Sequence, residues 1–156
     1  MTSRIEQRLA QLGIQVPGPG APGGNYVPFV QVGNLLFMAG QVCRADGKMQ
    51  YVGKVGRDLT VEEGQKAARL CALNLLAQLK AACNGDLDRV ERCVRLGGFV
   101  NCGPDFHEQP KVVNGASYFL VEVFGDAGKH ARTAVGVGSL PMDSAVEVEA
   151  IFQLRG

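Results

Sequence analysis

A capping box at Thr60-Val-Glu-Glu63 opens an apolar stretch that runs to Cys83, and this segment sets the terms for the rest of the chain. The Thr60 hydroxyl can accept from a first-turn amide while the Glu63 carboxylate accepts from the Thr60 amide, so the helix start is legible in the letters. From Gly64 to about Cys83, the apolar residues Ala67, Leu70, Cys71, Leu73, Leu75, Leu76 and Leu79 leave only a narrow polar stripe near Glu62, Lys66, Arg69, Asn74 and Gln78. A helix this apolar cannot face water around most of its circumference. It needs a sheet along one side and another element along a second, a surplus that points to self-association. Asn84-Gly85 is its expected end.

The sheet that such a helix requires is written on either side of it. Phe29-Val-Gln-Val32 and Leu35-Leu-Phe-Met38 flank Gly33-Asn34, a two-residue hairpin loop, and the second strand runs on through Ala39-Gly-Gln-Val42. Val90 to Asn101 reads as a further strand, with Gly97-Gly98 as a bulge that shifts its phase. After Pro104 and Pro110, the residues Val112, Val113, Ala116, Phe119, Leu120, Val123 and Phe124 repeat at i, i+3, i+4, so a second helix is expected, ended by Gly125. A closing hairpin follows, its last strand burying Val146, Val148, Ala150, Phe152 and Leu154 on one face. The order is hairpin, helix, strand, helix, hairpin, an α+β sandwich with both long helices on one face of a mixed sheet. Ile5, Leu9 and Leu12 mark a short amphipathic helix over 3–12 ending at Gly13, and Pro17 to Gly24 is an extended loop. Residues 1–24 are therefore an N-terminal extension and 25–156 the main domain.

With 156 residues, the chain is long enough for one domain with a real core. Hydrophobic residues make up 46% and charged residues 20%, the balance of a soluble globular protein and not of a disordered one. A net charge of +1 with scattered lysines and arginines lacks the basic footprint of a nucleic-acid binder, so nucleic acid is not an expected partner. No apolar run approaches the eighteen or so residues of a membrane span, and Glu6 and Arg8 interrupt any signal-peptide core, so the expected compartment is the cytoplasm. The five cysteines have no metal-ligand spacing and are expected to be reduced, with Cys71 and Cys83 as small hydrophobes in the long helix. The GxGxxG letters within Pro17–Gly24 lack the strand and helix a dinucleotide loop needs, Gly53 and Gly56 lack the Lys-Ser/Thr pair of a phosphate loop, and Asp86-Leu-Asp88 lacks the closing glutamate of a calcium loop.

One residue draws a functional reading. Arg132 sits in His130-Ala-Arg-Thr-Ala134, just before the strand that carries Glu147 and Glu149. If residues 139–144 connect the two strands and Gly138 faces Ala145, antiparallel pairing puts Arg132 on the same sheet face as both carboxylates. A guanidinium on a strand can grip a small carboxylate with two parallel hydrogen bonds, which a lysine cannot reproduce. The other reading is an Arg–Glu pair that staples the hairpin.

Several segments together resemble one family: Phe37-Met-Ala-Gly-Gln41, Asp58-Leu-Thr-Val-Glu-Glu63, Asp88-Arg-Val90, Val113-Asn114, Ala131-Arg132, Leu140-Pro141 and Val146-Glu-Val-Glu-Ala-Ile151. They resemble the Rid (reactive intermediate deaminase) proteins, also called YjgF-like or L-PSP endoribonuclease-like, over nearly the whole chain. The N-terminal helix and Gly24-Asn-Tyr-Val-Pro28 look like the longer branch of that family. The resemblance implies a chorismate-mutase-like fold, a mixed six-stranded sheet with two long helices on one face. It also implies a homotrimer with clefts between subunits, which matches the surplus of apolar surface. It implies hydrolysis of enamines and imines of the 2-aminoacrylate and 2-imino acid type to 2-keto acids and ammonia, with no metal or organic cofactor. On that resemblance, Arg132 grips the substrate carboxylate, Glu147 is the water-associated carboxylate, and Asn114 and Tyr26 line the pocket. Two positions depart from the family pattern: Ala39 stands where a serine or threonine is common, and Ala134 where a cysteine is frequent.

The residues leave alternatives beside each role. Glu147 can be an ion-pair partner of Arg132, Asn114 a polar or capping residue near a helix start, and Tyr26 a loop anchor. Cys102 and His107 share a loop, but no third group orients them as a nucleophile and base. For the whole chain, the leading reading is an imine/enamine deaminase acting on a small carboxylate. The alternatives are a non-catalytic small-carboxylate binder or regulator and, third, an endoribonuclease, for which the sequence offers neither a histidine pair nor a basic stripe.

Overall fold

The computed structural model describes residues 3–22 and 24–156; Met1 and Thr2 of the expected extension and Gly23 of its Pro/Gly loop lie outside them. Its main sheet has five strands in the order β1-β2-β7-β5-β6, with β1 Phe29–Val32, β2 Leu35–Val42, β5 Val90–Asn101, β6 Ala131–Val137 and β7 Val146–Leu154. The expected six strands are thus five. Two further short strands, β3 Arg44–Ala45 and β4 Lys48–Met49, pair only with each other, as a ribbon turned by Asp46 and Gly47 at positive φ (54° and 75°).

Among the described residues the α-helices are α1 Arg4–Leu12, α2 Val61–Ala82 and α3 Gln109–Phe124. Thr60 and Glu63 form the capping box in full, with both backbone amides satisfied at 3.0–3.1 Å. Pro110 lies in the first turn of α3, where its missing N–H costs nothing, and Gly125 at φ 65° ends it. α2 and α3 cover one face of the sheet, over the buried row Val146, Val148, Ala150, Phe152 and Leu154 of β7. All five cysteines are unpaired and buried.

Three expectations are corrected. The last two strands do not form a hairpin. β6 lies at the sheet edge, parallel to β5, while β7 runs antiparallel between β2 and β5. A parallel pair needs a crossover of a dozen residues or more, and α3 supplies it. β7 is apolar at every second position and takes the centre, whereas the small and polar Ala131-Arg-Thr-Ala134 suits an edge. Second, the register runs unbroken through Gly97 and Gly98, and the irregularities of β5 fall near Arg92 and Val94 instead. The two glycines are needed for clearance: a Cβ on Gly97 would lie 3.0 Å from Glu149 Oε1, and one on Gly98 would lie 2.5 Å from the Val113 side chain.

Third, the apolar surplus of α2 is covered inside the chain. α3 crosses it so closely that a Cβ on Gly115 would sit 2.0 Å from the Gln65 carbonyl oxygen. The N-terminal segment lies along its other flank, where Leu12, Ile14 and Val16 pack on the core and Gln78 donates to the Gly20 carbonyl at 2.9 Å. α1 is anchored as well: Ile5 and Leu9 are buried, and Asp88 accepts from the Arg4 and Ile5 amides at 2.9 Å each. Exposed apolar surface lies instead on the uncovered face of the sheet, where Val30, Val32, Phe37 and Val135 are 51%, 61%, 43% and 39% accessible. Val30, Val32 and Phe37 cluster on β1 and β2, apolar surface of the kind that partners cover, while Val135 lies at the opposite edge on β6, in one row with Glu147.

Candidate functional site

Strand register decides which way Arg132 points. It pairs with Leu96 of β5, which pairs with Ala150 of β7, and these two are 0% and 2% exposed on the helix-covered face. Arg132 therefore reaches toward α3, where Asn114 and Ser117 stand three residues apart on one side of the helix. Its Nη1 donates to Asn114 Oδ1 at 2.8 Å and to Ser117 Oγ at 3.1 Å. Both bonds use one nitrogen. Nε and Nη2 donate to no described residue, and that edge of the guanidinium has the spacing of a carboxylate.

Behind Ser117 stands His130. Its Nε2 lies 2.9 Å from Ser117 Oγ and its Nδ1 lies 2.6 Å from the Gly128 carbonyl. Burial holds the His130 pKa below the ordinary histidine value, and the Arg132 charge pushes the same way against the Gly128 bond. Both effects favour the neutral ring, and no described carboxylate pairs with it.

Glu147 and Glu149 occupy the other face. Glu149 lies in the row of Gly97 and Thr133, and Glu147 in the row of Phe99 and Val135. Arg132 does not share their face, and the pair that would staple a hairpin does not exist. From sheet spacings, the Arg132 and Glu147 backbones are roughly 14 Å apart, with their side chains on opposite sides of the sheet. The expectation failed because the order of strands, and not their adjacency in sequence, sets the register.

Glu147 lies over Gly40, where a Cβ would come within 2.5 Å of its Oε2, so the glycine opens the space the carboxylate fills. Burial raises its pKa above the usual 4.5, and the Glu149 charge raises it further. It lines, with Tyr26, Gly40 and Gln41, one end of a cleft of about 660 Å³ that is otherwise walled by α2 near Asn74 and Gln78, the β3–β4 ribbon and the N-terminal loop. The expected site residues thus separate into two groups: Arg132 and Asn114 on the helix side, Glu147 and Tyr26 at the cleft.

The two departures fall one in each group. Ala39, whose amide donates to the Pro28 carbonyl at 2.9 Å, precedes Gly40 beneath Glu147. Ala134 follows Arg132 by two residues on the helix-covered face, opposite Gly98, and its methyl packs against the core. Because β6 is an edge strand, its outer backbone row pairs with no described strand, and carbonyls near Ala134 are available to a ligand. Cys102 and His107 form no couple: the thiol is 3.7 Å from the Gln109 amide nitrogen, and His107 is exposed.

Ser117 and His130 were not anticipated. Asn114 and Ser117 at i, i+3 on a helix, with His130 and Arg132 at i, i+2 leading into a strand, are two matched faces, and that spacing was the available signal.

Comparison with known proteins places the chain. The family model described as "YjgF/chorismate_mutase-like, putative endoribonuclease" matches residues 6–154. Protein TCP17 of Trypanosoma cruzi is 48% identical over 155 residues, covering 99% of this chain and 96% of that protein. The crystal structure of Atu1372, of unknown function, from Agrobacterium tumefaciens is 48% identical, with a TM-score of 0.90 over 97% of this chain and 92% of that one. Escherichia coli TdcF, crystallised with bound serine, is 25% identical, with a TM-score of 0.61 over 89% of this chain and 94% of that one.

Proposed function

As a chain that belongs to the YjgF/chorismate mutase-like family, with that family's α+β fold, this protein binds, we propose, 2-imino acids and their enamine tautomers and hydrolyses them to 2-keto acids and ammonia. The observation that carries the reading is the guanidinium of Arg132, fixed through Nη1 by Asn114 and Ser117 with its Nε/Nη2 edge left for a carboxylate. A relative crystallised with bound serine supports a small carboxylate as the class of ligand.

The chemistry follows from what each group can do. Two parallel bonds from Arg132 hold the carboxylate and so fix C2, replacing a loose encounter with an oriented one. Water adds to C2 as the C=N bond opens and its electron pair moves to nitrogen, which takes the proton that the attacking water gives up. Glu147, whose raised pKa makes its carboxylate a better base, accepts the proton from the attacking water. The carboxylate passes that proton to the nitrogen; in the collapse of the carbinolamine it then takes the hydroxyl proton and hands it to the leaving nitrogen, so the C–N bond breaks, ammonia leaves and the new C=O remains. Carbonyls near Ala134 orient the nitrogen. The missing hydroxyl at Ala39 removes one donor, which bears on which imine is preferred and not on the carboxylate grip.

Arg132 and Glu147 cannot meet one substrate within a chain, since the sheet lies between them. The reading therefore includes a homotrimer in which the Arg132 side of one copy faces the Glu147 cleft of the next, with Val30, Val32, Phe37 and Val135 supplying the apolar contact. We place it in the cytoplasm; among the described residues no helix is long and apolar enough to cross a membrane.

The test generates 2-iminopropanoate and a larger imine in situ with an amino-acid oxidase and follows their decay by trapping with semicarbazide. The native protein shortens the imine lifetime. Arg132→Ala and Arg132→Lys lose about 10²- to 10⁴-fold in kcat/KM, two charge-assisted bonds being at stake. Full activity of Arg132→Lys would sink the bidentate grip. Tight binding of 2-oxobutanoate with no acceleration would make the protein a carboxylate binder and not an enzyme.

A further inference from the structure

We propose that His130 is a positioning residue for the carboxylate grip: through the Ser117 hydroxyl it fixes the Arg132 guanidinium so that the Nε/Nη2 edge stays presented to the ligand. The inference rests on the reading of Arg132 as the carboxylate-binding group and adds two residues to it.

The direction of each bond follows from what the atoms can do. The Gly128 carbonyl only accepts, so the proton on the ring is at Nδ1, 2.6 Å away. In a neutral imidazole, Nε2 then has a lone pair and no proton, and the group 2.9 Å from it must donate. That group is Ser117, whose single hydroxyl proton is thereby committed to the ring. Toward Arg132 Nη1, at 3.1 Å, the Ser117 oxygen can only accept, which is what a guanidinium requires. Without the histidine, a serine in a helix turns its proton to the carbonyl four residues back, which here is Val113, and its lone pairs rotate away from Arg132.

The base of the relay is rigid. A Cβ on Gly128 would lie 2.3 Å from the Leu120 carbonyl oxygen, so the turn over Gly125–Gly128 is seated directly on α3 and its carbonyl cannot shift. The charged groups nearby are otherwise engaged. Asp126 pairs with Lys129, Arg92 donates to the Lys129 carbonyl, and further along α3 the Glu122 carboxylate pairs with Arg69 while its backbone carbonyl accepts from Arg8. Arg132 is the cation that acts on the ring, and it opposes ring protonation, as burial does.

The test reads binding and turnover separately. His130→Leu and Ser117→Ala each raise the Kd for 2-oxobutanoate, and KM for the imine, about tenfold, the worth of one hydrogen bond to a charged group, while kcat stays within about twofold. The double variant is no worse than either single one, because the two act in series. His130→Gln, whose side-chain oxygen can take the Ser117 proton, recovers most of the loss. Additive losses, or a fall in kcat with KM unchanged, would overturn the relay. A measurement without mutation guards against misfolding: nitrogen-15 spectra of the native protein show His130 as the Nδ1–H tautomer with Nε2 unprotonated, and an Nε2–H tautomer would overturn it. Failure of the carboxylate grip itself is distinct, since Arg132→Lys would then leave 2-oxobutanoate binding intact.

Discussion

The two faces of the sheet treat their charged groups in opposite ways. On the helix-covered face, Arg132 is satisfied by its own chain, tied through one nitrogen to Asn114 and Ser117 and backed by a neutral His130. On the open face, Glu147 and Glu149 stand near each other with no cation among the described residues to pair with, and burial and mutual repulsion raise the Glu147 pKa. A charge held by its own chain is aimed, and a charge left uncompensated is reactive. The first is suited to recognition and the second to taking a proton.

That contrast is broken or upheld most sharply by comparing one substitution from each face. Glu147→Gln is expected to lower kcat for imine hydrolysis about 10²-fold with KM within about twofold, as for loss of a general base. Arg132→Lys should act through KM. The acid limb of the native kcat profile should lie above pH 4.5, because the base works only when ionised and its pKa is raised. A rise in KM for Glu147→Gln equal to that for Arg132→Lys would show both residues serving binding alone.

The helix-covered face can also be loosened without touching a polar group. Gly115 follows Asn114 in α3, at the point where α3 and the Gln65 carbonyl of α2 come closest. Gly115→Ala forces the helices apart, an overpacking expected to cost about 2–3 kcal/mol and lower Tm by about 5–10 °C. Carboxylate affinity should fall with it, since Asn114 moves with the helix. The same substitution at Gly138, where a Cβ meets nothing within 4 Å, should change neither. Equal effects at the two glycines would mean that helix spacing does not hold the guanidinium.

The parts of the molecule that were legible in the sequence are those governed by local chemistry. The capping box at Thr60 and Glu63, the Gly33 turn, the Gly125 stop and the alternation of Val146 to Leu154 each act over a few residues. What was not legible was non-local. Nothing in His130 to Phe152 states that β5 inserts between the last two strands, and with the wrong neighbour Arg132 was placed on the wrong face. The excess apolar surface of α2 was read as a subunit contact because the letters do not reveal that α3 and residues 12–20 cover it. Arg132 and Glu147 drew attention from the letters themselves, and their roles, with Asn114 and Tyr26, came from family resemblance. Ser117 and His130, which no motif carries, came only from geometry.

The smallest expected effect compares how the two faces respond to acid. For His130 the folded pKa lies below the ordinary 6.5, so near that pH the unfolded chain binds the proton more readily than the folded one. Stability from this group is present above the unfolded value and is lost as pH falls through 6.5 toward the folded value. Glu147 has the opposite sign: its folded pKa is raised, so its contribution is present below the unfolded value and lost as pH rises through the folded one. His130→Gln removes the first dependence and leaves the second. Between pH 7 and pH 5 the variant should therefore lose less Tm than the native protein, by about 1 °C once solvent screening of a half-buried ring is allowed for. Thermal melts of both proteins at the two pH values measure it. A steeper loss in the variant would mean that His130 is protonated in the folded chain, and a charged ring cannot take the Ser117 proton.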